Sequence, residues 1–485
     1  MSRENPSLKL NMVLNAIFKL SSLLFPLITF PYVSRILLPE GTGKVTFALS
    51  VVSYFSMFTQ LGIPTYGIRA CAKVRDDKEE LSRTVHELLL INLCCCVLVY
   101  LVYAAAVLLV PRFSSERLLF TVVGLNIGLN AIGAEWLYNA LEKYRYITAR
   151  SVAFQGISLV LMFLLVRTRE DYVCYGALLV LATSASYVLN FCNLRKYIYI
   201  HPVGGYDLRR HVRMIFVFFS LSVATTIYTN LDNVMLGFLK DDAAVGLYST
   251  AVKVKSLLVS LVTSASAVLL PRASYYVDKG MFEEFYGILK KMMHLILVIS
   301  FPMALYFMVF ARAGVVFLVG PAFEGSVLPM RIIMPTLVLI GVTNVMGIQM
   351  LVPLGRETSV LHAVTAGAVV DVILNGCLIP RFSASGAAIG TLAAETAVLL
   401  VQLYAVRTVP VRLFAGISVR KILAAMVLAV LASAWTLLVF DGPFLILLVS
   451  CIFFFGVYGM ALFLMKEPLV SVLLRRENRK ERSCH

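Results

Sequence analysis

Four ionisable side chains stand deep inside long apolar runs: Lys19, Lys253, Asp371 and Glu395. Charge in hydrocarbon is costly, so such groups are functional candidates by default. Their neighbours repeat at helical spacing. Asn11, Asn15, Lys19, Ser22, Pro26 and Thr29 make one polar stripe, and Ser222, Thr225, Thr229 and Asp232 make a second. Ser249, Lys253, Ser256, Ser260 and Thr263 make a third; Lys255 lies about 200° around the helix from Lys253 and cannot share it. Hydroxyl stripes alone can simply glue helices together. With two lysines added, the economical reading is a wet, cationic cavity that attracts anions. Arg35 and Arg331 fall near outer helix ends and Arg69 at an inner end, where snorkelling also accounts for them.

The acidic groups form another set. Asp371 has Asn375 one turn later, and Glu395 belongs to the next apolar segment, which runs back antiparallel. A facing carboxylate pair at similar depth would carry a proton or a sodium ion; a neutral hydrogen-bonded pair is the structural alternative. Glu135 and Asp232 lie nearer helix ends, where water or a basic partner suffices.

Other chemistry is poorly supported. The stretch LLPEGTGKVTF (37–47) looks like the end of a phosphate-binding loop, but Leu38 stands where the first glycine belongs and Val45 follows Lys44 in place of a hydroxyl. A tight turn between helices is the better reading. The nine cysteines, including the run Cys94, Cys95 and Cys96, have no metal or redox spacing, and the six histidines form no metalloprotease pattern. Neither a metal site nor an assembled hydrolytic triad is expected.

The elements that must position these groups follow from composition. Of 485 residues, 60% are hydrophobic and only 14% charged, which belongs to the membrane class. About 20 apolar residues cross a bilayer. Fourteen segments meet that criterion, centred near 22, 57, 97, 128, 158, 182, 226, 259, 300, 340, 369, 395, 429 and 454. The first is too long, and followed by too many others, to read as a cleaved signal. Thirty of the 43 Lys and Arg fall in the connections on the side of the termini, nine on the opposite side and four within helices. Basic residues are retained in the cytoplasm, so both ends are expected there. The net charge of +16 then reflects topology and anionic headgroups, and nucleic-acid binding is not needed, even for the basic tail 473–485.

The expected organisation is an all-α integral membrane protein with two pseudo-symmetric lobes. An N-terminal lobe (1–200, helices 1–6) and a cytoplasmic linker (201–213) precede a C-terminal lobe (214–408, helices 7–12). Helices 13 and 14 and the basic tail occupy 409–485. A short repeat supports two lobes: Leu38 followed by Gly43-Lys-Val-Thr-Phe-Ala48, and Leu239 followed by Gly246-Leu-Tyr-Ser-Thr-Ala251. Parallel repeats of this kind build transporters that rock about a central site. Pro26, Pro31, Pro64, Pro302 and Pro335 interrupt helical bonding and at least kink their helices.

Four stretches carry a family likeness: YVSRILLPEGTGKVTFA (32–48), EWLYNALEKYRYI (135–147), NLDNVMLGFLKDDAAVGLYSTAVKV (230–254) and GAAIGTLAAE (386–395). The chain resembles the Wzx-type polysaccharide flippases of the multidrug/oligosaccharidyl-lipid/polysaccharide exporter superfamily, with the likeness spread over essentially the whole chain. Leu38 departs from the pattern, because members often carry Gly there. The resemblance implies a fold like that of multidrug exporters of the superfamily and no enzymatic activity. The implied substrate is an undecaprenyl-diphosphate-linked oligosaccharide, moved from the inner to the outer leaflet of the bacterial cytoplasmic membrane by alternating access.

By that likeness Lys19, Arg35 and Lys253 contact the diphosphate-sugar headgroup, with Arg69, Lys255 and Arg331 as a second set and Asn15 and Asp232 beside them. Asp371 and Glu395 are the ion-coupling candidates. No cofactor is expected beyond a proton or sodium ion, and the membrane potential is an alternative source of work. The expected partners are the lipid-linked oligosaccharide, membrane lipids and other polysaccharide-assembly proteins, with the transporter itself a monomer. A peptidoglycan-precursor flippase and an ion-coupled multidrug exporter are the nearest alternatives. A membrane glycosyltransferase or polymerase fits less well, since the outer loops are short and poorly charged.

Overall fold

The computed structural model describes residues 8–267, 269–407 and 417–467. The basic tail, Arg3 and the connector 408–416 lie outside the described residues. Everything regular among the described residues is helical. Lipid offers no partner to backbone N–H and C=O groups, so a spanning segment must satisfy them internally. The chain divides into two compact units, Met1–Gly246 and Leu247–His485.

In the first unit the helices are α1 (Leu8–Gln60), α2 (Ile63–Lys73), α3 (Lys78–Leu109), α4 (Arg117–Ile132), α5 (Glu135–Ala140), α6 (Tyr144–Leu165), α7 (Tyr172–Lys196) and α8 (Arg209–Leu239). The unit ends inside the first turn of α9 (Asp242–Ala267). The second unit continues with α10 (Leu270–Asp278), α11 (Phe282–Val309), α12 (Ala311–Val319), α13 (Pro321–Ile333), α14 (Thr336–Leu351), α15 (Glu357–Ala405), α16 (Val419–Val439) and α17 (Pro443–Leu464).

Ten of the described helices are long and apolar enough to span a bilayer, or eleven if the α13–α14 pair, bent by 45°, is one span. The difference from fourteen segments has a physical cause. α1 and α15 each hold two expected segments, separated by a residue with positive φ: Leu38 (φ 58°, ψ −179°) and Ser383 (φ 53°, ψ −132°). Pro39 explains the first break, because proline excludes the helical conformation from the residue before it. The segment near residue 128 is α4, only 16 residues long.

Glycines record how α15 folds back. A Cβ on Gly367 would meet Val398 and Ala394, one on Gly386 would meet Leu378, and one on Gly390 would meet Asn375 and Asp371. The halves are therefore an antiparallel hairpin in close backbone contact. Within the second unit, α16 and α17 pack on α11 through Ile422, Ala425, Phe454 and Tyr458 against Tyr306 and Phe310.

α1 organises the first unit, packing on α3, α4, α6 and α8. At its elbow a Cβ on Gly43 would sit 2.6 Å from the Asp242 carbonyl carbon, and one on Gly246 would sit 2.8 Å from that of Pro39. The two glycines of the sequence repeat are thus where the elbow meets the start of α9. Ion pairs tie this end together: Lys44 to Glu116 at 2.8 Å, and Arg112 to Asp242 while its Nε donates to the Gly237 carbonyl. In the nearby turn before α7, the backbone N–H groups of Arg167 and Thr168 donate to Asp171 and hold its carboxyl below the usual range.

At the opposite end the linker docks on α3. Glu87 is fully buried and accepts from the Asp207 backbone N–H (2.7 Å), Arg210 Nη2 (2.6 Å) and His211 Nε2 (2.7 Å). Tyr66 bonds the other His211 nitrogen, Arg210 also pairs with Glu80, and Arg83 reaches the Gly204 carbonyl. Residues 204–211 are thus held to the first unit by charge-assisted bonds.

Candidate functional site

Two adjoining cavities open inside the first unit. The larger, about 490 Å³, is lined by Ser53, Ser56, Met57 and Gln60 of α1, Asn126 and Asn130 of α4, Pro64 and Thr65 of α2, and Phe218, Ser222, Thr225 and Thr226 of α8. The smaller, about 300 Å³, shares Gln60, Pro64 and Asn130 with it and adds Asn92, Glu135, Trp136, Asn139 and Tyr187. Together they form a space of mixed polar and apolar lining within a bundle of membrane-length helices.

A break in the helix shapes the smaller cavity. α4 stops at Ile132 and α5 starts at Glu135, with Ala134 between them in the left-handed region at φ 42°. The freed Gly133 carbonyl accepts from Asn190 Nδ2 at 2.7 Å. A Cβ on Gly133 would press within 2.8 Å of the Tyr187 ring, and one on Gly67 within 2.8 Å of Trp136. Glycine at those two places lets the aromatic rings lie flat against the helices.

Glu135 is the one carboxylate on the lining of either cavity, and no Lys, Arg or His joins it. Buried Arg150 donates to it at 3.0 Å, gives Nη1 to the Ser186 carbonyl, and lies over the Tyr187 ring at 5.2 Å. The carboxylate is compensated from behind while facing the cavity. On α4, Asn130 Nδ2 donates to Asn126 Oδ1 at 3.0 Å, and Ser184 also donates to that oxygen. Asn92 is 98% buried; its Nδ2 reaches the Ala131 carbonyl at 3.5 Å, while its Oδ1 has no partner. Such a buried acceptor calls for a donor from water or ligand.

The residues singled out from sequence lie elsewhere. Lys19 and Arg35 are exposed on α1, Asn15 is half-buried one turn before Lys19, Arg69 is exposed on α2, and Asp232 is buried on α8. In the second unit, Lys253 and Lys255 are half-buried on α9, and Arg331 is exposed with its Nε donating to the Met308 carbonyl. Asp371 and Asn375 come together, Nδ2 to Oδ1 at 3.1 Å, on the wall touched by Gly390. Glu395 is buried five residues beyond Gly390, about 7.5 Å of helical rise. Beside it, Tyr248 bonds Thr391 at 2.7 Å.

Of the sequence stripes, only Ser222 and Thr225 of the second line the cavities. Gln60, Asn92, Asn126 and Asn130 escaped notice, although Asn126 and Asn130 stand one turn apart in an apolar segment. Among the described residues no group of three or more His, Cys, Asp and Glu is placed to hold a metal.

The polysaccharide biosynthesis protein family matches residues 8–277, more than half of the chain. The chain belongs to this family. Its relatives include the "Putative O-antigen transporter" of Escherichia coli (strain K12), 25% identical over 417 residues, covering 84% of this chain and 98% of the relative. A protein of the same name from Shigella dysenteriae is 24% identical over 416 residues, covering 82% and 100%. Both relatives are named as transporters.

Among solved structures, the lipid II flippase MurJ in an inward closed conformation aligns with a TM-score of 0.73 at 16% identity, covering 93% of this chain and 98% of that one. An inward-facing multidrug resistance MATE family transporter of the MOP superfamily aligns at 0.63 and 14% identity, covering 83% and 98%. These likenesses show the fold: an all-α, multi-pass membrane architecture.

Proposed function

We propose that the protein moves an undecaprenyl-diphosphate-linked oligosaccharide from the inner to the outer leaflet of the bacterial cytoplasmic membrane, by alternating access, for surface polysaccharide biosynthesis. The observation that carries the reading is the pair of amide- and hydroxyl-lined cavities inside a membrane-spanning bundle. Hydrocarbon excludes such groups unless they face water or a polar ligand, and sugars present matching donors and acceptors. The near full-length match to proteins named as O-antigen transporters supports the same substrate class.

The headgroup needs cations as well. Lys19, Arg35 and Lys253 are assigned to the diphosphate, with Arg69, Lys255 and Arg331 as secondary contacts and Asn15 and Asp232 beside them; the exposed placement of Lys19 and Arg35 suits a mobile anionic ligand. Asp371 and Glu395 are assigned to coupling by a proton or sodium ion. Their burial in a close-packed hairpin supports a site that changes charge when occupied. Without them, the membrane potential would still supply about 2.3 kcal/mol per charge per 100 mV. Both termini are assigned to the cytoplasm, and the transporter works as a monomer beside other polysaccharide-assembly proteins.

The test is a strain lacking its own O-antigen flippase. Restored surface polysaccharide on expression of this chain is the expected result. The MurJ-like fold makes lipid II the second substrate to try; rescue of lipid II flipping with no rescue of surface polysaccharide would overturn the reading.

A further inference from the structure

We infer that the two adjoining cavities of the first unit form a glycan subsite, taking uncharged sugar rings of the substrate apart from its diphosphate, with Gln60 and Glu135 setting which sugars fit. The inference rests on the flippase reading above. Neither cavity has a Lys or Arg on its lining, so neither offers a counter-charge to phosphate. Glu135 already has Arg150 behind it at 3.0 Å, and a second anion entering the smaller cavity would face the carboxylate.

A polyprenyl chain is equally unsuited, because it would desolvate the amides and return no hydrogen bond. A sugar ring returns several. Asn92 Oδ1, buried and unpartnered, gains a donor; Gln60, common to both cavities, offers an acceptor and two donors; Glu135 accepts from hydroxyls. Trp136 and Tyr187 supply flat apolar walls for ring C–H groups. Volumes of about 490 and 300 Å³ lie within the range of small-ligand sites, roughly 300–1,000 Å³.

The chain has two tryptophans, and one of them lines the smaller cavity. A Trp435→Phe background therefore leaves Trp136 as the only indole. The purified full chain in detergent is titrated with galactose, mannose, rhamnose and N-acetylglucosamine, and with sodium glucuronate and sodium chloride as charged probes. A saturable change in Trp136 emission with at least one neutral sugar, absent with both salts, is expected. Gln60→Leu should raise the half-saturating concentration about tenfold, as loss of one good hydrogen bond implies, with Tm unchanged to show folding; Glu135→Gln, which exchanges one acceptor oxygen for a donor, should raise it as well. No saturable response to any neutral sugar, an equal response to glucuronate or sodium chloride, or no effect of Gln60→Leu would overturn the subsite. Flipping by the unmodified chain is scored separately, so its loss counts against the transport reading while the sugar titration still decides the subsite.

Discussion

Gly43 and Gly246 lie backbone to backbone: a Cβ on Gly43 would stand 2.9 Å from the Gly246 nitrogen. The sequence repeats one short motif around each, and the elbow of α1 and the first turn of α9 meet through these two positions. Gly43→Val and Gly246→Val have no room, and overpacking of this kind costs about 1–3 kcal/mol or more. Both are expected to lower Tm in detergent and to abolish transport. Leu38 behaves oppositely. Its backbone sits where glycine is favoured, a strain of order 1–3 kcal/mol. Leu38→Gly should keep transport and hold or raise Tm; an equal loss in all three variants would contradict this geometry.

Glu87 holds the linker by four charge-assisted contacts from a fully buried position. Glu87→Ala removes them and leaves partners without an acceptor, so a loss of about 2–3 kcal/mol is expected. Limited proteolysis should then cut within 200–208 faster than in the unmodified chain. Unchanged Tm and cleavage rate would show that the docking contributes nothing.

Gly390 gives Asp371 and Asn375 their space. Asp371→Asn should leave substrate binding intact while removing the dependence of flipping on a proton or sodium gradient, and Gly390→Val should do the same with added destabilisation. The check is flipping in vesicles with and without each imposed gradient. If Asp371→Asn keeps full gradient dependence, the coupling role is wrong.

The Glu135–Arg150 pair separates charge from shape. Arg150 is buried, so Glu135→Leu strands a guanidinium and should cost about 3–5 kcal/mol. Glu135→Gln keeps an acceptor for it and should cost far less. Equal Tm for the two variants would mean that the ion pair does not position α5.

Much of this architecture was legible in the sequence, because a bilayer imposes a minimum apolar length and every expected segment coincides with a described helix or half of one. The elbow was legible as a repeat, since Leu38-Pro39 and Gly43 are local signals. The cavities were not. Asn126 and Asn130 look like interhelical glue until α1 and α8 close around them. Arg150 lies fifteen residues from Glu135 on the next helix, and Glu87 meets the linker more than a hundred residues away. Such pairings depend on tertiary register, which periodicity does not carry. The α15 hairpin shows the same limit: its antiparallel sense is readable, but the offset of Glu395 from Asp371 follows from glycine contacts.

The most direct measurement reconstitutes the purified chain in liposomes holding undecaprenyl-diphosphate-linked oligosaccharide in one leaflet and follows lectin access from the other side. The unmodified chain should expose the glycan far faster than empty liposomes, and Lys19→Ala/Lys253→Ala should slow it at least about tenfold with Tm unchanged, since each cation lost removes a kcal/mol or more of attraction. Glycan exposure no faster than in empty liposomes would contradict the transport claim, and a double variant as fast as the unmodified chain would remove those lysines from the headgroup site.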